Sequence, residues 1–178
     1  VAYFELETFD DYLHMLDVCT QITGHREAYA RYGTDVKAQI DQTIADCADK
    51  PSPSVLLIRA YSTGAKAKNS QNNMTAAMLT DLGCINIADS DTGLLDDLSL
   101  ERIIADDPDF IFVTTMGADD EALASLAEGL QSNPAWSGLT AVREGRYHVL
   151  PKDLFHYKPN ARWAESYAML AEMLYGES

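Results

Sequence analysis

Two short stretches concentrate the side chains able to hold a ligand. The first contains Arg59, Tyr61, Lys66 and Lys68 and leads to Asn73 and Met74; the second is Phe155-His156-Tyr157-Lys158, with Lys152 ahead of it and Arg162 just beyond. Residues 51 to 80 hold no Asp or Glu, although the chain carries 28 acids against 13 bases, a net charge of −15 in 178 residues. Cations with aromatic neighbours on an otherwise acidic chain suit a cleft for an amphipathic anion. Coulomb attraction draws the ligand in, and flat rings pack against it. The overall negative charge argues against nucleic-acid binding.

Other chemistries lack their residues. Gly64-Ala-Lys-Ala-Lys68 does not have phosphate-loop spacing, and neither Ser62-Thr-Gly nor Ser137-Gly forms a nucleophile elbow. His14, His25, His148 and His156 stand apart, with no HExxH pattern. Asp89, Asp91, Asp96 and Asp97 miss the spacing and the terminal Glu of a calcium loop, and read as a solvated acidic loop. Cys19, Cys47 and Cys84 make no CxxC pair, hence no zinc ribbon, and their neighbours predict buried or half-buried thiols. Nothing points to an enzyme, a cofactor or a resident metal.

These residues must be positioned by elements that the pattern makes legible. The opening Val1-Ala-Tyr-Phe reads as a strand already under way, which predicts a start internal to a longer protein. Thr8 begins a helix whose inner face is Phe9, Tyr12, Leu13, Leu16 and Cys19 or Thr20, closed by Gly24. A second helix is expected from His25 to Asp49, with Tyr29, Val36, Ile40 and Ile44 inward, ended by Pro51 and Pro53. Together they suggest a spine.

From Ser54 strands and helices alternate: strand Val55–Ile58, a loop, helix Asn73–Leu82, strand Cys84–Ile87, helix Asp119–Gln131, strand Tyr147–Leu150 and helix Asn160–Leu174. Alternation of this kind predicts an α/β fold, a three-layer lobe with a parallel sheet flanked by helices. Ligands in such sheets bind outside the carboxyl ends of the strands. That singles out the loops Arg59–Gln71, Ala88–Leu98, Thr115–Ala118 and Pro151–Pro159.

The most specific segment is Leu98 to Thr114. Ser99 is placed to cap a helix that buries Leu100, Ile103 and Ile104; Asp107-Pro108 stops it, and Phe110–Val113 is apolar enough for a fully buried strand. This helix, DPD turn and strand resembles a unit in each lobe of the substrate-binding proteins of ABC importers for ferric siderophores, haem and vitamin B12. Asn133-Pro-Ala-Trp-Ser-Gly-Leu-Thr-Ala-Val-Arg-Glu-Gly-Arg146 is similar to that family's signature before the last strand, and Leu154–Trp163 is similar too. The architecture implied is two lobes joined by a long helix, with cargo gripped between them.

On that resemblance residues 1–6 end a missing N-terminal lobe, residues 7–50 form an interlobe spine helix, and residues 51–178 are the C-terminal lobe. The resemblance implies an extracytoplasmic receptor, periplasmic or lipid-anchored, that binds a ferric siderophore or haem and docks on ABC permease subunits through Glu101. Arg59, Tyr61, Lys66, Lys68, Asn73, Met74, Phe155, His156, Tyr157 and Lys158 are expected to line the cleft, and no metal ligand is assigned. An alternative is an α/β enzyme domain using the same basic rim for a phosphorylated molecule such as a nucleotide sugar. A third is a response-regulator-like module, which needs a phosphorylatable Asp at a strand end, whereas Asp109 lies at a strand start.

Overall fold

The computed structural model describes residues 3–71 and 73–176. Its sheet has strands β1 (Ser54–Tyr61), β2 (Gly64–Lys68), β3 (Ile85–Asn86), β4 (Phe110–Thr115) and β5 (Tyr147–Val149). The order is β2-β1-β4-β5, and β3 pairs with the start of β1 on the edge whose far end is taken by β2. Pairing of β1 with β3 and β4, and of β4 with β5, is parallel; only β2 is antiparallel.

Eleven α-helical segments surround it among the described residues. Those before the sheet are α1 (Phe9–Thr23), α2 (Arg26–Tyr29) and α3 (Asp35–Cys47). Then come α4 (Met74–Asp81), α5 (Ile87–Ser90), α6 (Gly93–Asp96), α7 (Leu100–Asp106), α8 (Asp119–Leu126), α9 (Thr140–Arg143), α10 (Lys152–Phe155) and α11 (Trp163–Tyr175). Alternate residues of β1 and β4 build two cores. Val55, Leu57, Phe110 and Phe112 face α1, α3, α4, α10 and α11. Leu56, Ile58, Ile111 and Val113 face the other side, against Ile103 of α7, Ala122 and Leu126 of α8, and Trp136. The result is the three-layer α/β arrangement expected from the alternation.

The segment expected to form the spine is two helical arms, α1 and the α2–α3 stretch. Thr8 caps α1 through a reciprocal bond with Asp11, and Gly24 (φ 76°) ends it. The expected second helix is interrupted by a π-helical turn, Ala30–Thr34, between α2 and α3. The Tyr12 hydroxyl donates to the Tyr32 carbonyl at 3.1 Å, supporting the turn from α1. Gly33 lets the turn pack closely on α1: a Cβ there would lie 3.0 Å from Leu13 Cδ2 and push that side chain aside. α11 packs on α3, tying these helices to the sheet layers.

The DPD turn is a double anchor. Asp107, at φ 38°, accepts from Thr140 N and Oγ1 at 2.8 and 2.7 Å and so caps α9. Asp109 Oδ2 accepts from Ser54 N and Oγ, both at 2.8 Å, and the Asp109 amide donates back to Ser54 Oγ at 3.0 Å. β1 and β4 are thereby locked in register at their starts.

Several expectations are corrected. Tyr3 to Leu6 form no strand, pairing with none of the sheet's strands; Val1 and Ala2 lie outside the described residues. Lys66 and Lys68 sit on strand β2, not in a loop, because Ser62-Thr63 makes a two-residue turn that folds Gly64–Lys68 back onto β1. Ser99 occupies the cap position of α7 without a side-chain cap bond, and Ile104 is 42 % exposed on its outer face. Cys19 is exposed, whereas Cys47 and Cys84 are buried. The acidic loop is partly structural: Asp89 accepts from Ser70 N and Oγ, and Asp91 from Arg102 and from Gly93 N. Asp109 sits at the amino end of β4, bonded to Ser54, so it does not supply the strand-end Asp of a regulator module.

Candidate functional site

The carboxyl ends of β1, β4 and β5 share one rim. Arg59 pairs in register with Lys66 on one side and Thr114 on the other, and Leu57 pairs with Lys68. Directly paired residues project from the same face of a sheet. Arg59, Lys66 and Lys68 therefore lie on the face that carries Leu57 and the larger core, while Ala65 and Ala67 turn to the other side. The alternation is small-in, charged-out.

α10 brings the second cluster to the same end. It is fastened from below: Thr75 Oγ1 donates to the Phe155 carbonyl at 2.8 Å, and Ser166 Oγ to the Leu154 carbonyl at 3.1 Å. Lys152 Nζ pairs with Asp119 Oδ1 at 2.6 Å and donates to the Gly117 carbonyl, while Thr115 Oγ1 donates to Asp119 at 2.5 Å. These bonds fix the loop after β4. The Asp119 carboxyl is held below its usual range by its bonds to Lys152 and Thr115. Lys158 Nζ meets Glu7 Oε2 at 3.5 Å, joining the rim to the entrance of α1.

The named residues divide by depth. Lys66 and Tyr157 are exposed; Arg59, Tyr61, Lys68, His156 and Lys158 are half-buried. Asn73, Met74 and Phe155 lie beneath the rim. Asn73 caps α4 by accepting from Ala76 N, and Met74 and Phe155 are 4 % and 1 % exposed within the core. Glu101 projects from the first turn of α7, exposed and without an ion pair among the described residues.

Six of the thirteen basic side chains meet no carboxylate among the described residues: Arg31, Lys50 and Arg146, and the three at the site, Arg59, Lys66 and Lys68. The others meet one, as in Arg26–Asp17, Lys37–Asp41, Arg102–Asp91, Lys152–Asp119 and Arg162–Asp153. Arg59 Nε and His156 Nδ1 are moreover buried atoms with no hydrogen-bond partner among the described residues. Burial lowers the His156 pKa from its ordinary value, and the charges of Arg59, Lys152 and Lys158 lower it further against a small opposing pull from Asp119. The rim thus combines paired cations, Lys152 and Lys158, with Arg59 and His156, each of which keeps a buried nitrogen without a partner among the described residues. Donors of this kind can hold an anion.

A depression of about 770 Å³, lined among others by Phe110, Arg146, His148 and Tyr175, lies at the opposite, amino edge of the sheet. Size alone would favour it. Position favours the rim, since in open α/β sheets the carboxyl ends of the strands hold ligands.

Sequence reasoning placed Lys152 and Thr115 in the candidate loops but did not see Asp119, which ties the two together. The cue available was Thr114-Thr115 ending an apolar strand just before Gly117, with acids opening the next helix.

A family model described as periplasmic binding protein matches residues 1–154. The chain belongs to that family. Among solved structures, this periplasmic binding protein chain is similar to an ABC transporter substrate-binding protein from Listeria monocytogenes EGD-e, at 18 % identity and TM-score 0.76, covering 99 % of this chain and 68 % of that one. It is similar to the periplasmic haem-binding protein RhuT from Roseiflexus sp. RS-1, at 22 % identity and TM-score 0.74, covering 95 % and 64 %. It is similar also to S. aureus IsdE, solved with haem, at 12 % identity and TM-score 0.81, covering 97 % and 67 %. At these identities the likeness concerns the fold. The chain spans about half to two-thirds of the solved chains it matches, from 51 % to 68 % among those compared. No curated protein matches it. The family and its solved neighbours are solute-binding proteins. No helix among the described residues is long and apolar enough to cross a membrane.

Proposed function

We propose that this chain is the spine and C-terminal lobe of an extracytoplasmic receptor that binds an iron complex, a ferric siderophore or haem, and delivers it to an ABC importer. The observation that carries this reading is Arg59 and Lys66, cross-strand partners toward the carboxyl end of β1, with Lys68 on the same face opposite Leu57, none of the three meeting a carboxylate among the described residues. Cations left without carboxylate partners in a chain of net charge −15 favour an anionic ligand from outside. Half-buried rings of Tyr61 and His156, with exposed Tyr157, add flat surface for a large planar or aromatic cargo.

In this reading the rim is one jaw. A second lobe, preceding the spine, supplies the other, and Tyr3–Leu6 is the chain's approach from it. The haem-binding protein RhuT and the haem complex of IsdE support an iron-bearing cargo. Glu101, exposed on α7, is the docking carboxylate: it can take a bidentate grip from a permease arginine, which gives orientation as well as energy. Fluorescence-quench titration of the protein with haemin, a ferric catecholate and a ferric hydroxamate tests the reading. Binding of at least one is expected; binding of none, with a nucleotide sugar bound instead, would replace it with the enzyme-domain alternative.

A further inference from the structure

The rim holds four nitrogen-bearing side chains close enough to act on one another, and only one of them changes charge near neutral pH. Arg59 reaches it from β1, Lys152 from the start of α10 and Lys158 from the loop after α10. His156 stands among them as the residue that closes α10, its amide donating to the Lys152 carbonyl at 2.9 Å. Its ring lies edge-on to Tyr157, centroids 5.3 Å apart, and its Nδ1 is sealed from solvent without a partner. The acids facing this group are Asp119 at the start of α8, engaged by Lys152 and Thr115, and Glu7 ahead of α1, engaged by Lys158. Each is committed to another cation. Among the described residues only Asp119 favours a charged imidazole, and its pull is the weakest of the influences on the ring.

We propose that His156 is a proton-linked specificity residue of the cargo seat, neutral when the rim is empty and charged when an anionic group of the cargo lies against Arg59 and His156. This rests on the anionic-cargo reading above and deepens it. In the empty rim three cations and burial oppose protonation, so the imidazole is uncharged at neutral pH. A bound anion cancels that repulsion and gives Nδ1 or Nε2 an acceptor, so binding takes up a proton. By linkage, affinity must then rise as pH falls from the pKa of the complex toward the lower pKa of the empty site, and level off below it. A carboxylate-bearing complex gains; a neutral one does not.

Two measurements test this. The first is an NMR titration of the His156 ring protons in the unliganded chain. A midpoint below 6.5, moving up in Arg59→Gln, is expected; a midpoint at or above 6.5 overturns the proposal. The second is haemin affinity at pH 7.5 and 5.5 in wild type and His156→Gln. The wild type should gain at least about three-fold more on acidification than the variant, since the haem's own titration is common to both. An equal pH response in the two overturns the proton-linked role while leaving the cargo reading intact. Failure of either protein to bind haemin or a ferric catecholate at both pH values overturns the cargo reading itself, and the linkage with it.

Discussion

Arg59 and Lys66 are cross-strand partners on β1 and β2, two like charges on one face of the sheet with no carboxylate between them among the described residues. Directly opposed like charges cost a sheet roughly 0.2–1 kcal/mol. The pair is therefore tolerated for a reason other than stability. Replacing Lys66 by Gln should raise the unfolding midpoint slightly while weakening cargo binding, and Arg59→Gln should weaken binding about ten-fold, as for a lost charge-assisted hydrogen bond of about 1.5 kcal/mol. Thermal melts beside quench titrations read both effects. Loss of stability with unchanged affinity would make the pair structural.

Glu101 tests the docking role separately from the cargo. It touches no described charged partner, so Glu101→Ala should change folding stability by less than about 0.5 kcal/mol. Cargo affinity should match the wild type, while uptake through the intact importer falls. Unimpaired uptake in whole cells counts against docking through this residue.

Asp107 gives a pH signature to the fold. Its carboxylate takes two bonds from Thr140, and these hold its pKa below the ordinary 3.8. A group whose folded pKa is depressed contributes stability above its unfolded pKa and loses it as pH falls through the folded value. Asp107→Asn keeps a residue type tolerant of positive φ but removes the charge. It should lower stability at pH 7 by about 0.5–1 kcal/mol, as for a weakened helix cap, and the gap should close as pH falls below 3.8. Urea unfolding at pH 7 and pH 3 measures it.

The thiols should separate cleanly. Burial pushes Cys84 up to about 12 and raises Cys47 as well, while Cys19 is exposed. The thiolate is the reactive species, so an aromatic disulfide reagent should modify one thiol per chain in the native state and three in denaturant. Rapid modification of two or three native thiols would contradict the packing of α3 and β3 described above.

What was legible in the sequence is what has strong local punctuation. Asp107-Pro108 before the apolar run of β4 fixed a helix end and a buried strand, because proline restricts the residue before it and a strand buried on both faces shows no alternation. The alternation of Gly64-Ala-Lys-Ala-Lys68 was open to reading as a strand, but Ala and Lys have weak strand preference and its stability comes from the β1 ladder. α5 and α6 were missed for a similar reason: four-residue helices owe their existence to tertiary partners such as the Asp89–Ser70 bonds. Charge made the rim visible. Depth did not, which is why Asn73, Met74 and Phe155 were named beside residues that sit above them.

The most direct measurement is the affinity of the protein carrying this chain, titrated with ferric siderophore and haem complexes at two salt concentrations. An anionic iron complex should bind in the wild type, bind more weakly as salt rises, and lose affinity when Arg59, Lys66 and Lys68 are replaced together by Gln. Tight binding that ignores both salt and the triple replacement would contradict the cationic edge as the seat of the cargo.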